Sequence, residues 1–148
     1  MPIRIATPSD SQSWVALRAQ LWPDTHRSVH EDEAAAILAG SPGDSIAFLA
    51  VTDDGGLQGF AEAALRRDHV NGCETSPVAF LEGIFVCPGD RGTGVGRSLL
   101  RAVQVWARDL DVTELASDAH LDNVASHAFH RALGFEETDR VVYFRKPL

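Results

Sequence analysis

Phe80-Leu-Glu-Gly-Ile-Phe-Val-Cys-Pro-Gly-Asp-Arg-Gly-Thr-Gly-Val-Gly-Arg-Ser-Leu-Leu100 is the stretch from which the fold is read. It opens as an apolar run with strand character and meets Pro88. Gly92, Thr93, Gly94 and Gly96 then make a turn, and Val95 to Leu100 opens a helix. Strand, glycine turn and helix together form an anion cradle: backbone N–H groups converge on one phosphate with the helix dipole behind them. Arg91, Arg97 and Arg101 flank the turn in a chain whose formal net charge is −8, so a polyanion is expected there.

Spacing decides between three such cradles. A P-loop requires a lysine after its last glycine, and Lys146 is the only lysine of the chain. A dinucleotide fingerprint requires Gly-x-Gly-x-x-Gly, whereas here Arg97 stands where the third glycine belongs. What remains is Arg91-x-x-Gly94-x-Gly96 after a strand, which resembles the pyrophosphate loop of the Gcn5-related N-acetyltransferases (GNAT). The resemblance implies acetyl-coenzyme A as co-substrate, held by Arg91, Gly92, Thr93, Gly94, Val95, Gly96 and Arg97.

Outward from the turn, Ile3 to Ala6 reads as a strand. Ser9 or Asp10 caps a helix running to about Leu21, with Trp14, Leu17 and Leu21 at helical spacing and Pro23 ending it. Glu31 to Ala39 is a second helix, closed by Gly40-Ser-Pro42. Ile46 to Val51 and Gly59 to Leu65 are strands joined by the hairpin signal Asp53-Asp-Gly-Gly56. Arg66 to Pro77 is a polar loop, and Ala79 to Val86 is the strand that feeds the turn. Leu99 to Ala107 continues the helix, Val112 to Ser117 is a strand, Asn123 to Leu133 a helix and Phe135 to Phe144 a closing strand. This order predicts an α/β (α+β) fold: a mixed, mostly antiparallel sheet with helices on both faces. No repeat or linker interrupts it, so residues 1–148 are expected to form a single domain, the acyl-CoA acyltransferase fold that the resemblance implies.

Asn123-x-x-Ser126-x-x-x-His130-x-x-x-Gly134-Phe135 resembles the same family's closing signature, in which an alanine and a tyrosine stand where Ser126 and His130 are found. The resemblance implies that Asn123, with Ser126 beside it, meets the pantetheine region. It also implies that the tyrosine's task of protonating the departing thiolate falls to His130. An imidazole is chemically able to do this; a histidine merely facing solvent is the plain alternative. The resemblance further implies a bulged strand that parts from its neighbour, leaving Ile84, Phe85 and Val86 to bond the pantetheine arm as another strand would. Glu82 lies two residues before Ile84, so strand alternation puts Glu82, Ile84 and Val86 on one face. A carboxylate in so apolar a run is either an edge-facing surface group or the site at which a protonated amine is bound and deprotonated. Asp118 ends the strand expected to splay from this one. It is either a second carboxylate of an ammonium site or a helix cap or turn residue.

Leu21-Trp22-Pro23, Val70-Asn-Gly-Cys73, Ser76-Pro77-Val78, Phe80 to Val86, Ala116-Ser-Asp118 and Ala132 to Thr138 together resemble the aminoglycoside 6'-N-acetyltransferases across nearly the whole chain. That resemblance implies a cationic aminoglycoside bound by Trp22, Glu82, Asp118 and Asp139. It also implies a homodimer in which His69 reaches the partner's site. Trp14, and on its residue type Trp22 as well, also fits a core position. The acidic balance excludes a nucleic-acid partner and suits a cationic substrate, although it serves solubility equally. Neither an apolar stretch of membrane-spanning length nor a secretory leader is visible, so a cytoplasmic protein without membrane association is expected. Cys73 and Cys87 show no metal-ligand spacing and read as free thiols. No metal is expected. Acetylation of another amine and a silent acyl-CoA-binding module are the competing functions.

Overall fold

The computed structural model describes residues 2–40 and 44–148. Its centre is a five-stranded sheet in the order β1-β2-β3-β4-β5. The strands are β1 (Ile3–Ile5), β2 (Ser45–Val51), β3 (Leu57–Arg66), β4 (Val78–Val86) and β5 (Leu115–Ser117). The first four run antiparallel to one another, and β5 lies parallel to β4. Helices α1 (Ser11–Leu21) and α2 (Arg27–Leu38) cover one face, α3 (Val95–Asp109) the other, and α4 (Val124–Ala132) leans on the α3 side through Phe129. Among the described residues, no helix is long and apolar enough to cross a membrane.

The two-faced burial follows from alternation along the strands. On β2, Phe48 and Ala50 join the α3-side core, while Ala47, Leu49 and Val51 join the α1/α2 side. Helix α3 presents Val95, Leu99, Leu100, Val103 and Ala107 at helical spacing, all buried. Arg101, on another face of α3, lines an open apolar groove with Ile3, Ile46 and Phe48 beside β1 and β2. It therefore does not belong with Arg91 and Arg97 at the turn.

Three local expectations change. Neither Ser9 nor Asp10 caps α1 with its side chain. Asp10 instead reaches back to the Thr7 N–H at 2.7 Å and pairs with both terminal nitrogens of Arg4, which holds its carboxyl well below the usual carboxylate range. The second helix begins earlier, at Arg27, where His26 accepts a hydrogen bond from the Ser28 N–H. Gly40 follows α2 with φ of 69°, but Ser41 and Pro42 of its expected stop lie outside the described residues. The closing strand Phe135 to Phe144 does not pair with the sheet; Val142, Tyr143 and Phe144 are exposed. Its β-branched and aromatic end, Val141 to Phe144, suits a strand, but a strand also needs an edge partner, and β5 offers only three residues.

Candidate active site

The glycine turn is built as its spacing suggests. A short 3₁₀ turn at Pro88–Asp90 leads through Arg91 into Gly92 and Gly94, whose φ values of 77° and 93° favour glycine. Gly94 is the N-cap of α3 and supplies no side chain to its first turn. The first intrahelical bond runs from the Ser98 N–H to the Gly94 carbonyl, which leaves Val95, Gly96 and Arg97 as helix-start donors. Gly96 has a different task. A Cβ there would stand 2.9 Å from Phe129 Cζ, so this glycine lets α4 close against α3. Arg97 reinforces that closure through a bond from Nη2 to the Ala132 carbonyl at 3.4 Å. Arg91 turns back onto the strand, donating from Nε to the Val86 carbonyl at 2.8 Å, its guanidinium 5.5 Å from the Phe85 ring centroid.

Strands β4 and β5 part. Their parallel pairing covers Ala79, Phe80 and Leu81 opposite Leu115, Ala116 and Ser117 and then stops. Beyond Leu81, β4 is laddered only to β3. The Cys87 N–H donates to the Gln58 carbonyl, so by alternation Phe85 also directs its backbone toward β3 while Ile84 and Val86 face the open edge. The Val86 carbonyl taken by Arg91 agrees with this phase. Phe85 therefore does not fit the role of a pantetheine-bonding residue: its backbone faces β3 and its side chain is buried on the α1/α2 side.

A bulge re-aims Glu82. Glu62 pairs with Gly83 and Ala63 with Leu81, so Glu82 is the extra residue of β4. Leu81 and Ile84, three apart, consequently both point to the α3-side core. Glu82 shares the opposite face with Phe80 and Gly83, and the expectation that it lies on the face of Ile84 and Val86 is overturned. There it receives Arg66 in a fork, Nη2 to Oε2 at 2.8 Å, with Nη2 and Nε to Oε1 at 3.0 and 3.1 Å. Trp22 lies on the same face, its ring edge over Gly83: a Cβ there would stand 2.5 Å from Trp22 Cη2.

Behind Trp22 is a buried charge cluster that the sequence reading passes over. The Arg18 guanidinium sits 4.9 Å from the Trp22 ring centroid, and the His30 ring stacks on it at 6.2 Å with an interplanar angle of 22°. Arg18 pairs with Glu62 and Glu33, and its Nε lies 3.3 Å from His30 Nδ1. Trp14 donates from Nε1 to Glu62 at 2.9 Å, and His30 Nε2 lies 3.2 Å from the Trp22 carbonyl. Arg18, His30 and Glu62 are all buried. Burial pushes the Glu62 carboxyl up, opposed by Arg18 and the Trp14 N–H. The one sequence signal was Glu62 itself, a carboxylate inside the apolar run of β3. Trp14 is fully buried, as its spacing suggests.

On the other side of the parting, α4 brings His130 to the end of β5. Its Nδ1 lies 2.7 Å from the Ser126 carbonyl, 3.3 Å from Ser126 Oγ, and its Nε2 2.8 Å from Ser117 Oγ. The Phe135 ring stands edge-on at 5.3 Å. A carbonyl can only accept, so Nδ1 carries the proton and Nε2 of the neutral ring accepts from the Ser117 hydroxyl. Ser117 Oγ is also 3.2 Å from the Leu81 carbonyl, where its proton goes when Nε2 is itself protonated. Ser117 was not among the expected site residues. Ser126 is engaged with His130, and Asn123 Oδ1 caps α4 by accepting from the Ser126 N–H at 3.2 Å.

Leu81 and Ser117 are the last paired residues, so Glu82 and Asp118 are the next residue on each diverging strand. Asp118 is exposed. His69 and Asp139 are exposed as well, on the side of the β3–β4 loop, where Thr138 abuts Gly72. Asp139 accepts from the Arg140 N–H at 2.9 Å. Both cysteines are free. Burial and Asp90 push the Cys87 thiol up, and it points at the Leu57 carbonyl, which makes it a poor nucleophile.

Residues 12–135 match the acetyltransferase (GNAT) family. An aminoglycoside N(6')-acetyltransferase type 1 of Stenotrophomonas maltophilia is 54% identical over 146 residues, covering 99% of this chain and 93% of the relative. The apo crystal structure of aminoglycoside antibiotic 6'-N-acetyltransferase AAC(6')-IG from Acinetobacter haemolyticus superposes with a TM-score of 0.94 at 44% identity, covering 100% of this chain and 99% of that one. AAC(6')-Iy in complex with the bisubstrate analogue CoA-S-monomethyl-acetylneamine superposes with a TM-score of 0.91 at 43% identity, covering 99% and 98%. A cradle at a helix start, a parted strand pair and full-length relatives of one kind place the chain in the GNAT acetyltransferase family, among the aminoglycoside 6'-N-acetyltransferases.

Proposed function

We propose that the chain transfers the acetyl group of acetyl-CoA to the 6'-amino group of aminoglycoside antibiotics, by direct attack within a ternary complex, and so confers resistance to them. The observation that carries this reading is the parting of β4 and β5 immediately upstream of a helix start with no side-chain cap. A linear thioester-bearing arm fits that parting as a surrogate strand, its phosphates over the turn. The donors of Gly92 to Arg97 would take the pyrophosphate, and the edge groups of Ile84 and Val86 the pantetheine, with the free amide nitrogen of Asn123 beside it.

The face on which Glu82 bulges is the face from which the amine would arrive. Glu82 and Asp118 would bind the ammonium, and Glu82, directly or through water, would accept its proton. Trp22 would form the wall for the sugar, with Asp139 adding negative charge from the loop side. An N–H of the β4 edge would donate to the carbonyl oxygen as negative charge gathers on it. As the C–S bond breaks, the thiolate would take the Ser117 Oγ proton while Ser117 takes one from Nε2 of doubly protonated His130, which keeps its Nδ1 proton on the Ser126 carbonyl. Two thiols without a disulfide suit a cytoplasmic setting. A homodimer fits the exposed Val142, Tyr143 and Phe144, which a second copy of the chain would cover, with His69 reaching toward that copy's site.

Steady-state consumption of acetyl-CoA with kanamycin-type antibiotics that bear or lack the 6'-amine tests the assignment. Turnover is expected only with the 6'-amine, and equal turnover of both would refute it.

A further inference from the structure

The carboxylate on which the ammonium site rests already holds a cation. Arg66 is the last residue of β3 and pairs with Val78, so its side chain runs along β4 over Phe80 to Glu82, all on one face. Its guanidinium carbon lies 3.5 Å from the Phe80 ring centroid, and its fork engages both Glu82 oxygens. The two side chains remain 43% and 34% exposed, so water and solutes reach the pair.

From this geometry we infer that Arg66 is an internal counter-ion: it occupies Glu82 in the free enzyme and is displaced by the substrate's ammonium. The inference rests on the reading of Glu82 as the ammonium-binding carboxylate. Displacement is cheap because an ion pair this exposed is weak. The Phe80 face also gives the guanidinium a place to remain once its carboxylate is taken. The exchange matches one cation for another, so Glu82 is never left without a partner. A neutral hydroxyl in place of the amine has no charge with which to displace Arg66. The pair therefore favours amines over alcohols at the same position, at some expense of affinity for the amine itself.

Arg66→Met removes the charge and keeps the packing on Phe80. Calorimetric titration of the CoA-bound enzyme with a 6'-amino kanamycin-type antibiotic should give a dissociation constant lowered about two- to five-fold, the range that an exposed pair supplies. The same substitution in a Glu82→Gln background should change nothing. A constant that rises or stays the same in the single variant overturns the proposal, as does an equal fall in both backgrounds, which would mean general charge repulsion. If Glu82→Gln alone leaves binding unchanged, the reading of Glu82 itself fails, and the proposal with it.

Discussion

Gly83→Ala places one methyl group under Trp22. The new Cβ would stand 2.5 Å from Cη2, 2.6 Å from Cζ2 and 3.2 Å from a Leu21 methyl, where ordinary contact begins at 3.4 Å. The ring must therefore move by about 1 Å, and little space lies behind it. Arg18 backs the ring at 4.9 Å, His30 stacks at 6.2 Å, and Phe60 stands tilted at 6.2 Å. Retreat would disturb a buried charge cluster, so the indole should slide outward along the sheet. Overpacking of this kind costs about 1–3 kcal/mol, which at this chain length lowers the melting temperature by roughly 3–9 °C. Because Trp22 is read as a wall of the amine site and not of the CoA cleft, the aminoglycoside KM should rise several-fold while the acetyl-CoA KM holds. Thermal melts and steady-state kinetics with each substrate varied separately check both halves. An unchanged melting temperature would refute the packing argument. An unchanged aminoglycoside KM with a lowered melting temperature would remove Trp22 from the site.

Arg18→Met strands Glu62 in the core, and denaturant unfolding should show a loss of about 3–5 kcal/mol; a loss below 1 kcal/mol would mean that the cluster is not buried as described. Asp10→Asn tests the Arg4 pair. The native carboxyl is held below its ordinary value of 3.8, so its contribution is present above that pH and is lost as pH falls below it. The variant should be less stable than the parent at neutral pH and converge with it in acid. Ser117→Ala removes the group between His130 Nε2 and the parting, and kcat should fall with both KM values little changed. If kcat is unaffected, Ser117 carries no proton.

What is legible in the sequence is what is local. The turn from Arg91 to Gly96 declares itself through glycines whose positions the backbone demands, and α3 through one apolar stripe. The cap of α4 was equally near at hand, since Asn123 meets the Ser126 N–H three residues on. Arg66 and Glu82 were both visible as charges, but their pairing joins positions 16 residues apart across two strands. The Arg18–Glu62 pair spans 44 residues, and no periodicity points from one partner to the other. Phe135 to Phe144 fails for another reason: β-branched and aromatic residues describe a segment's own preference and say nothing of whether an edge is free to receive it.

The bulge at Glu82 shows most plainly why local reading stops short of the site. Alternation assigns every β4 side chain to a face, and one extra residue reverses the assignment for everything on one side of it. With regular pairing, Glu82 would enter the α3-side core among Leu99 and Val103, where an unpaired carboxylate is costly. With the bulge it emerges beside Trp22 and Arg66, while Ile84 and Val86 keep their side chains in that core and their backbone on the open edge. The same irregularity therefore separates two tasks on neighbouring residues, an edge for a linear arm in the plane of the sheet and a carboxylate for a cation above it. The register is readable in the burial of Leu81 and Ile84, three residues apart yet in one core. Deleting a single β4 residue at Glu82 would restore regular pairing and keep that core, and it should abolish amine turnover while CoA binding persists.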